Sequence, residues 1–468
     1  MSSHGDDDGG GGGAHVLLLP YPSQGHVHPM LQFAKRLAFH GMRPTLAVTR
    51  YILATCAPPD VAVAGAVRFA TVSDGCNAGG FGECDDVTSY LSRLAAAGTQ
   101  TLEELLSAES TRGRPVRVLV YDAFLPWARA VAARHGAAAV AFFTQPCAVN
   151  VVYGHVWCHR VGVPVEDGAA VALPGLPALE PEGLPWFLKV GPGPYPAYFD
   201  LVMNQFDGLE LAADVLVNSF YELEPEEAAY MASAWRAKTI GPTVPAAYIS
   251  DDRMPEDTKY GFHLFELTTA PCMAWLDAHQ PRSVVFVSFG SLSNLDPAEM
   301  REVARGLLDA GRPFLWVVRS SESHKLPAGY EADCAPRCGG LVVSWCPQLE
   351  VLAHRAVGCF LTHCGWNSTA EALVTGMPMV ALPQWTDQPM NAKYVEAVWR
   401  VGVRVRPAAA DGLARREEVA GGIEEVMRGE RSGEYRRNAA GWMEKAKAAI
   451  REGGSSDRNI AEFVAKYK

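Results

Sequence analysis

The stretch 345–388, WCPQLEVLAHRAVGCFLTHCGWNSTAEALVTGMPMVALPQWTDQ, limits the folds open to this chain more than any other part of it. Gly358-Cys359-Phe360-Leu361-Thr362 is a short apolar run with an aromatic and a β-branched member, the pattern of a buried strand. His363 to Asn367 reads as a loop holding one glycine, Gly365. Ser368-Thr369-Ala370-Glu371 has the spacing of a capping box and opens an apolar helix through Ala372, Leu373 and Val374, which Gly376 and Pro378 close. A buried strand, a glycine-containing loop and a helix start make an anion site, because unpaired N–H groups and the positive dipole end face whatever binds there. Ser368 and Glu371 are equally what a helix with no ligand uses as caps.

The same strand-loop-helix plan recurs. Ser283 to Ser291 (SVVFVSFGS) is a continuous apolar run that delivers a Ser-Phe-Gly-Ser loop, as at the carboxyl end of a buried parallel strand. Near the amino terminus HVLLLP (15–20) runs into Tyr21-Pro22-Ser23-Gln24-Gly25-His26. A helix follows, with apolar positions at Met30, Leu31, Phe33, Ala34, Leu37 and Ala38. His26 therefore sits at a strand-to-helix turn. An imidazole there suits a general base, since its unperturbed pKa of roughly 6.5 lies near working pH. His28, two residues on, is read as structural. Val118-Leu119-Val120-Tyr121-Asp122 is another apolar strand, and it ends in a carboxylate that can orient such a base or merely close an Asx-turn. Phe142-Phe143-Thr144 ends a third strand.

Taken together, the 345–388 stretch resembles the signature box of plant family 1 UDP-sugar glycosyltransferases, present end to end, and the likeness extends over nearly the whole chain. It implies an α/β chain of GT-B class: two Rossmann-like doubly wound parallel-sheet domains facing across a cleft. It also implies roles. Trp345 would stack on uracil, with Gln348 beside the nucleoside. His363, Asn367, Ser368 and Ser291 would contact the diphosphate, helped by the Trp366 backbone. Glu371 would bind the ribose hydroxyls. Thr144, Asp387 and Gln388 would reach the sugar, and the terminal Gln388 points to glucose. His26 would be the catalytic base and Asp122 its orienting partner, giving in-line displacement with inversion. No metal or other cofactor is implied, because the helix start and neutral donors take the place of a cation. Acceptor contacts are assigned to Tyr21, Gln24, Phe124, Cys147, Trp157, Trp186, Met203 and Trp385, whose aromatic and apolar character suits a flat hydrophobic molecule. Aromatic acids such as indole-3-acetate and salicylate, phenols and terpenoid alcohols all remain open as acceptors. A non-catalytic UDP-sugar sensor on the same fold is the rival from another class, and the intact His26 and Asp122 argue against it.

Composition sets outer limits. At 468 residues the chain exceeds one ordinary core, so two or three domains are expected. A net charge of −11 with scattered basic residues argues against a nucleic-acid partner. No apolar run approaches the ~20 residues that span a bilayer. The acidic, glycine-rich start has the wrong charge for a signal peptide, so a cytoplasmic location is expected; the expected assembly is a monomer. Eleven cysteines then read as free thiols, and His354, Cys359, His363 and Cys364 fit no standard zinc spacing. P-loop, G-x-S-x-G and G-x-G-x-x-G motifs are absent from the positions that matter. The expected division is a disordered leader (1–13), an acceptor-binding domain (14–245), a linker (246–268), a UDP-sugar-binding domain (269–445) and a last helix (446–468) packing back on the first domain.

Overall fold

Apolar runs too short for helices become parallel strands, and each leaves its polar residues at its carboxyl end. The computed structural model describes residues 13–56, 65–166, 170–265, 269–408 and 412–468. The leader expected at 1–13 thus falls almost entirely outside the described residues. The first sheet has seven strands: β1 (His15–Leu19), β2 (Arg43–Thr49), β3 (Arg68–Val72), β4 (Val116–Asp122), β5 (Ala138–Phe143), β6 (Asp214–Val217) and β7 (Ala237–Thr239). The second has six: β8 (Val284–Ser288), β9 (Phe314–Val317), β10 (Leu341–Val343), β11 (Val357–Thr362), β12 (Met379–Ala381) and β13 (Gly402–Arg404). Their orders are β3-β2-β1-β4-β5-β6-β7 and β10-β9-β8-β11-β12-β13. Every pairing within them is parallel. Each order reverses direction once, between β1 and β4 and between β8 and β11. Ligands of open α/β sheets bind at such switch points. Both sheets are doubly wound, and together they give the GT-B plan.

Helix α1 (Gln24–Phe39) follows β1 and buries Met30, Leu31, Phe33, Ala34 and Leu37, the residues its periodicity singled out. The two halves are fused at the floor of the cleft. The Trp366 indole N–H donates to the Asn218 carbonyl at 2.6 Å, the Trp399 indole N–H to the Leu223 carbonyl at 3.3 Å, and the Tyr394 hydroxyl to Glu227 at 2.5 Å. The described part of the linker, 246–265, is fastened rather than loose. Lys35 of α1 donates to Asp257 at 2.8 Å and to the carbonyls of Lys259 and Tyr260, and Arg36 meets Asp251 at 3.1 Å.

The chain does end on the first half, but the crossing helix is shorter than 446–468. Residues up to Ile450 complete a preceding helix, Ser432–Ile450, and Gly453 at φ 75° breaks it. The helix Ser455–Tyr467 then lays Ile460, Phe463 and Val464 on the core of the first half and joins Tyr467 to Asp214 at 2.5 Å. Among the Pro- and Gly-rich described residues 170–196 there is a short helix, Trp186–Val190, and the chain leads into another, Pro196–Asn204, started by a proline at its first position.

Candidate active site

Between the two sheets lies a cavity of about 290 Å³ lined from both halves. On the first half, His26 sits in the first turn of α1, and its Nδ1 is 2.6 Å from Asp122 Oδ2 at the end of β4. Asp122 is 1% exposed and also accepts from the Tyr21 and Phe124 backbone N–H groups at 3.2 and 3.1 Å, so its carboxylate cannot swing. With a carboxylate on Nδ1, that nitrogen carries the proton and Nε2 is left as the basic atom. Thr144 Oγ1 lies 3.3 Å from the same Nδ1. The rings of Tyr21 and Phe124 flank the imidazole, with centroids at 5.3 and 5.0 Å.

Across the cleft, β8 and β11 deliver two loops. His363 follows β11 and is wedged between glycines. A Cβ on Gly290 would lie 2.7 Å from its ring, and one on Gly365 2.5 Å. Gly290 is also at φ 76°, which a side chain resists. Burial pushes the His363 imidazole down to about 4, so it is neutral at pH 7, and among the described residues its Nδ1 has no hydrogen-bond partner. The helix after it begins at Trp366, two residues before the expected start, with Gly365 as a cap that offers no side chain. The capping box is therefore not formed. Ser368 lies inside the first turn and accepts from Gln348 Nε2 at 2.9 Å, while Glu371 accepts from Gln348 and Tyr260, each at 2.8 Å. Asn367 reaches the Gly25 carbonyl on α1 at 2.6 Å.

The box ends in a tight loop. Asp387 accepts from Thr386 at 2.8 Å and from Asn391 at 2.6 Å, and Gln388 Oε1 accepts from the Gln384 and Trp385 N–H groups. Burial pushes the Asp387 and Glu371 carboxyls up, and the donors around them oppose it. Cys364 at φ 61° and Thr386 at φ 52° hold left-handed backbone next to His363 and Asp387. Such strain costs on the order of 1–3 kcal/mol per residue and gathers at functional loops.

A neutral histidine and a helix start on one side and a histidine–carboxylate pair on the other suit group transfer from an anionic donor. Comparison with known proteins agrees. The family model for UDP-glucoronosyl and UDP-glucosyl transferase matches residues 265–440. A UDP-glucosyltransferase of Hordeum vulgare, UGT13248, is 52% identical over 97% of this chain and 94% of its own length. UDP-glycosyltransferase 79 of Oryza sativa is 53% identical over 97% and 96%.

The chain belongs to the plant family 1 UDP-glycosyltransferases.

The crystal structure of the rice family member Os79 in complex with UDP superposes with a TM-score of 0.91 at 52% identity, covering 97% of this chain and all of that one. Transfer of a glucosyl group from a UDP-sugar to a small molecule is the activity of the family to which this glycosyltransferase belongs.

Among the donor-side residues named from the sequence, Thr144, Ser291, Trp345, Gln348, His363, Trp366, Asn367, Ser368, Glu371, Asp387 and Gln388 all line the one cavity with His26. On the acceptor side Tyr21, Gln24, Phe124 and Trp385 line it too. Cys147, Trp157, Trp186 and Met203 do not. Cys147 is buried, with its backbone N–H on Glu224 at 3.0 Å, and Met203 packs in the core. Trp157 donates to Asp207 at 2.8 Å against Phe206. Trp186 is one ring removed from the cleft, meeting Tyr195, which in turn meets Trp385.

Sequence reading missed Tyr198, Leu201 and Val202, which complete the aromatic and apolar wall. Their i, i+3, i+4 spacing behind Pro196 was the available signal. It also missed Tyr260 and His263, which carried none. His28 bonds the Phe262 carbonyl at 2.7 Å and is pushed down to about 3 by burial and then by the nearby His263. Among the described residues no group of three or more His, Cys, Asp or Glu could hold a metal ion, and no helix is long and apolar enough to cross a membrane.

Proposed function

We propose that this glycosyltransferase transfers glucose from UDP-glucose, with inversion, to an oxygen of a small hydrophobic acceptor, with His26 as base and Asp122 as its orienting partner. The observation that carries this is the 2.6 Å contact between a half-buried imidazole and a carboxylate held by two backbone donors, at the cavity wall opposite the box loops. His26 Nε2 takes the acceptor proton while that oxygen attacks the anomeric carbon from the face away from UDP. The imidazolium that forms is stabilised by Asp122. Ser291, Ser368, neutral His363 and the start of the helix Trp366–Val374 receive the charge that builds on the leaving phosphate. No cation is needed in this reading. Asp387 and Gln388 hold the sugar hydroxyls, and Trp345 and Glu371 the nucleoside.

Among acceptors a terpenoid alcohol has the most support. Os79 has been crystallised in complex with U2F and trichothecene, and that chain is 51% identical to this one. The wall of Tyr21, Phe124, Tyr198, Leu201, Val202 and Trp385 suits a rigid apolar body. Its eleven cysteines are unpaired, which fits a cytosolic protein.

The test is a UDP-release assay with UDP-glucose against a trichothecene, a flavonol, salicylate and indole-3-acetate, each with and without EDTA. Turnover with the trichothecene, unchanged by EDTA, is the expected outcome. Turnover with the carboxylic acids alone moves the assignment to ester formation. Binding of UDP-glucose without turnover on any acceptor sinks the catalytic reading in favour of a sensor.

A further inference from the structure

We infer that Tyr260, on the segment joining the two halves, is a positioning residue of the nucleoside site that acts on the ribose through Glu371. The inference rests on the reading of Glu371 as the ribose-binding carboxylate. The hydroxyl of Tyr260 donates to Glu371 Oε1 at 2.8 Å, and the amide of Gln348 donates to Oε2 at 2.8 Å. A carboxylate held by one donor can rotate about its last bond. Held on both oxygens, its plane is fixed. Each oxygen keeps a second lone pair, so two vicinal hydroxyls find two acceptors already set side by side. The phenol is a dependable donor here, because burial and the Glu371 charge push its ionisation far above the ordinary range.

What holds Tyr260 is the first half of the molecule. Its ring stacks on His28 of α1 at 4.1 Å and 13°. His28 is pinned by the Phe262 carbonyl, and Lys35 of α1 grips the Lys259 and Tyr260 carbonyls at 3.0 and 3.1 Å. Contacts therefore run from the helix that carries His26, through Tyr260, to the carboxylate on the other sheet. Five residues further on, Phe265 stacks on Trp345 at 4.3 Å and 29° without itself lining the cavity. The same segment thus braces both side chains assigned to the nucleoside. A tyrosine that merely satisfied its own buried hydroxyl would affect stability and nothing else.

The experiment compares binding of UDP, 2′-deoxy-UDP and 3′-deoxy-UDP by calorimetry. Wild-type protein should prefer UDP by about tenfold over each deoxy form, the size of one hydrogen bond to a charged group. Tyr260→Phe keeps the stacked ring and removes the hydroxyl. It should cut that preference to about threefold or less while leaving the affinity for the deoxy forms within about twofold of wild type. An unchanged preference in Y260F, whatever happens to its melting temperature, overturns the inference. Absence of any preference in the wild type removes the ribose role of Glu371 and this inference with it, and is recognised before any variant is made. Should Y260F not fold, His28→Leu withdraws the ring beneath Tyr260 and is read by the same ratio: a reduced preference supports the coupling, an unchanged one overturns it.

Discussion

Around the loops after β11 and β12 the polar side chains are held by their neighbours, whereas the aromatic part of the cleft wall is ring against ring. Glu371, Asp387 and Gln388 each have their oxygens engaged by side-chain or backbone donors. Tyr21, Phe124, Tyr198 and Trp385 meet one another or their neighbours through edge-on and tilted contacts at 5.0–5.8 Å. A hydrogen-bonded cradle fixes distances and punishes the wrong ligand by leaving a buried polar group unpaired. An aromatic wall fixes shape and area only. In the function proposed above, the first arrangement suits one invariant donor and the second suits acceptors that differ in outline.

The sharpest way to break that contrast is at the boundary, where His26 belongs to the acceptor wall yet is held like a donor residue. His26→Ala should lower kcat for an alcohol acceptor by on the order of 10²–10⁴ and leave UDP binding unchanged, read by steady-state UDP release and calorimetry. A carboxylic acid acceptor, already ionised, should suffer much less. Equal losses for both acceptors would mean that His26 is not acting as a base.

Next in size, Asp387→Ala should lower kcat/KM for UDP-glucose by about 10–100-fold, the loss of a charged hydrogen-bonding group, while the Kd of UDP itself stays put. A matching loss of UDP affinity would show that the loop, not the sugar contact, had been damaged.

The smallest effect concerns pH. Burial is the first cause that pushes His28, His263 and His363 down, to about 3, 4 and 4. In the unfolded chain each takes up a proton near pH 6.5, and in the folded chain not until far lower. Between those limits the unfolded state binds more protons, so stability falls as the pH drops, by about 1.4 kcal/mol per pH unit for each histidine once below pH 6. Glu224, pushed up to about 7 by burial and then by Glu227, has the opposite sign over pH 4.5–7, and Glu371 and Asp387 lean the same way. His28→Asn isolates one contribution. Its melting temperature should fall less steeply than that of the wild type between pH 7 and 5, and parallel curves would show that His28 titrates alike in both states.

The contrast also explains what could be read from the sequence. The strand-loop-helix unit at 357–374 was legible because its parts are consecutive in one stretch. Strands β1, β4, β5, β8 and β11 announce themselves as apolar runs. Strands β7, β10, β12 and β13 have three residues each, lie at or near sheet edges, and take their structure from the neighbour they pair with. Ser368 and Glu371 have the spacing of a cap, but spacing does not say where the helix begins. The helix begins at Trp366, whose indole bonds the other half, and the two residues turn instead to Gln348 and Tyr260. The aromatic and apolar wall is assembled from four separate places in the chain. The aromatic and apolar character of Cys147, Trp157, Trp186 and Met203 does not say whether they pack on the cleft or on the core. Tyr260 was hidden by turn-rich surroundings that read as a spacer.

The seam between the halves is asymmetric in a way that bears on how such a molecule diversifies. The donor half reaches over with side chains: Trp366, Trp399 and Asn367. The acceptor half answers with the main-chain carbonyls of Asn218, Leu223 and Gly25, which any residue would supply. Other contacts across the seam do ask for particular side chains, among them Tyr394 on Glu227 and the rings of Tyr195 and Tyr198 on Trp385. Substitutions at Asn218 and Leu223 that keep the backbone path therefore leave the two indole bonds in place, whereas changes at Glu227, at Tyr198 or at the α1 residues that hold Tyr260 reach the loops across the cleft.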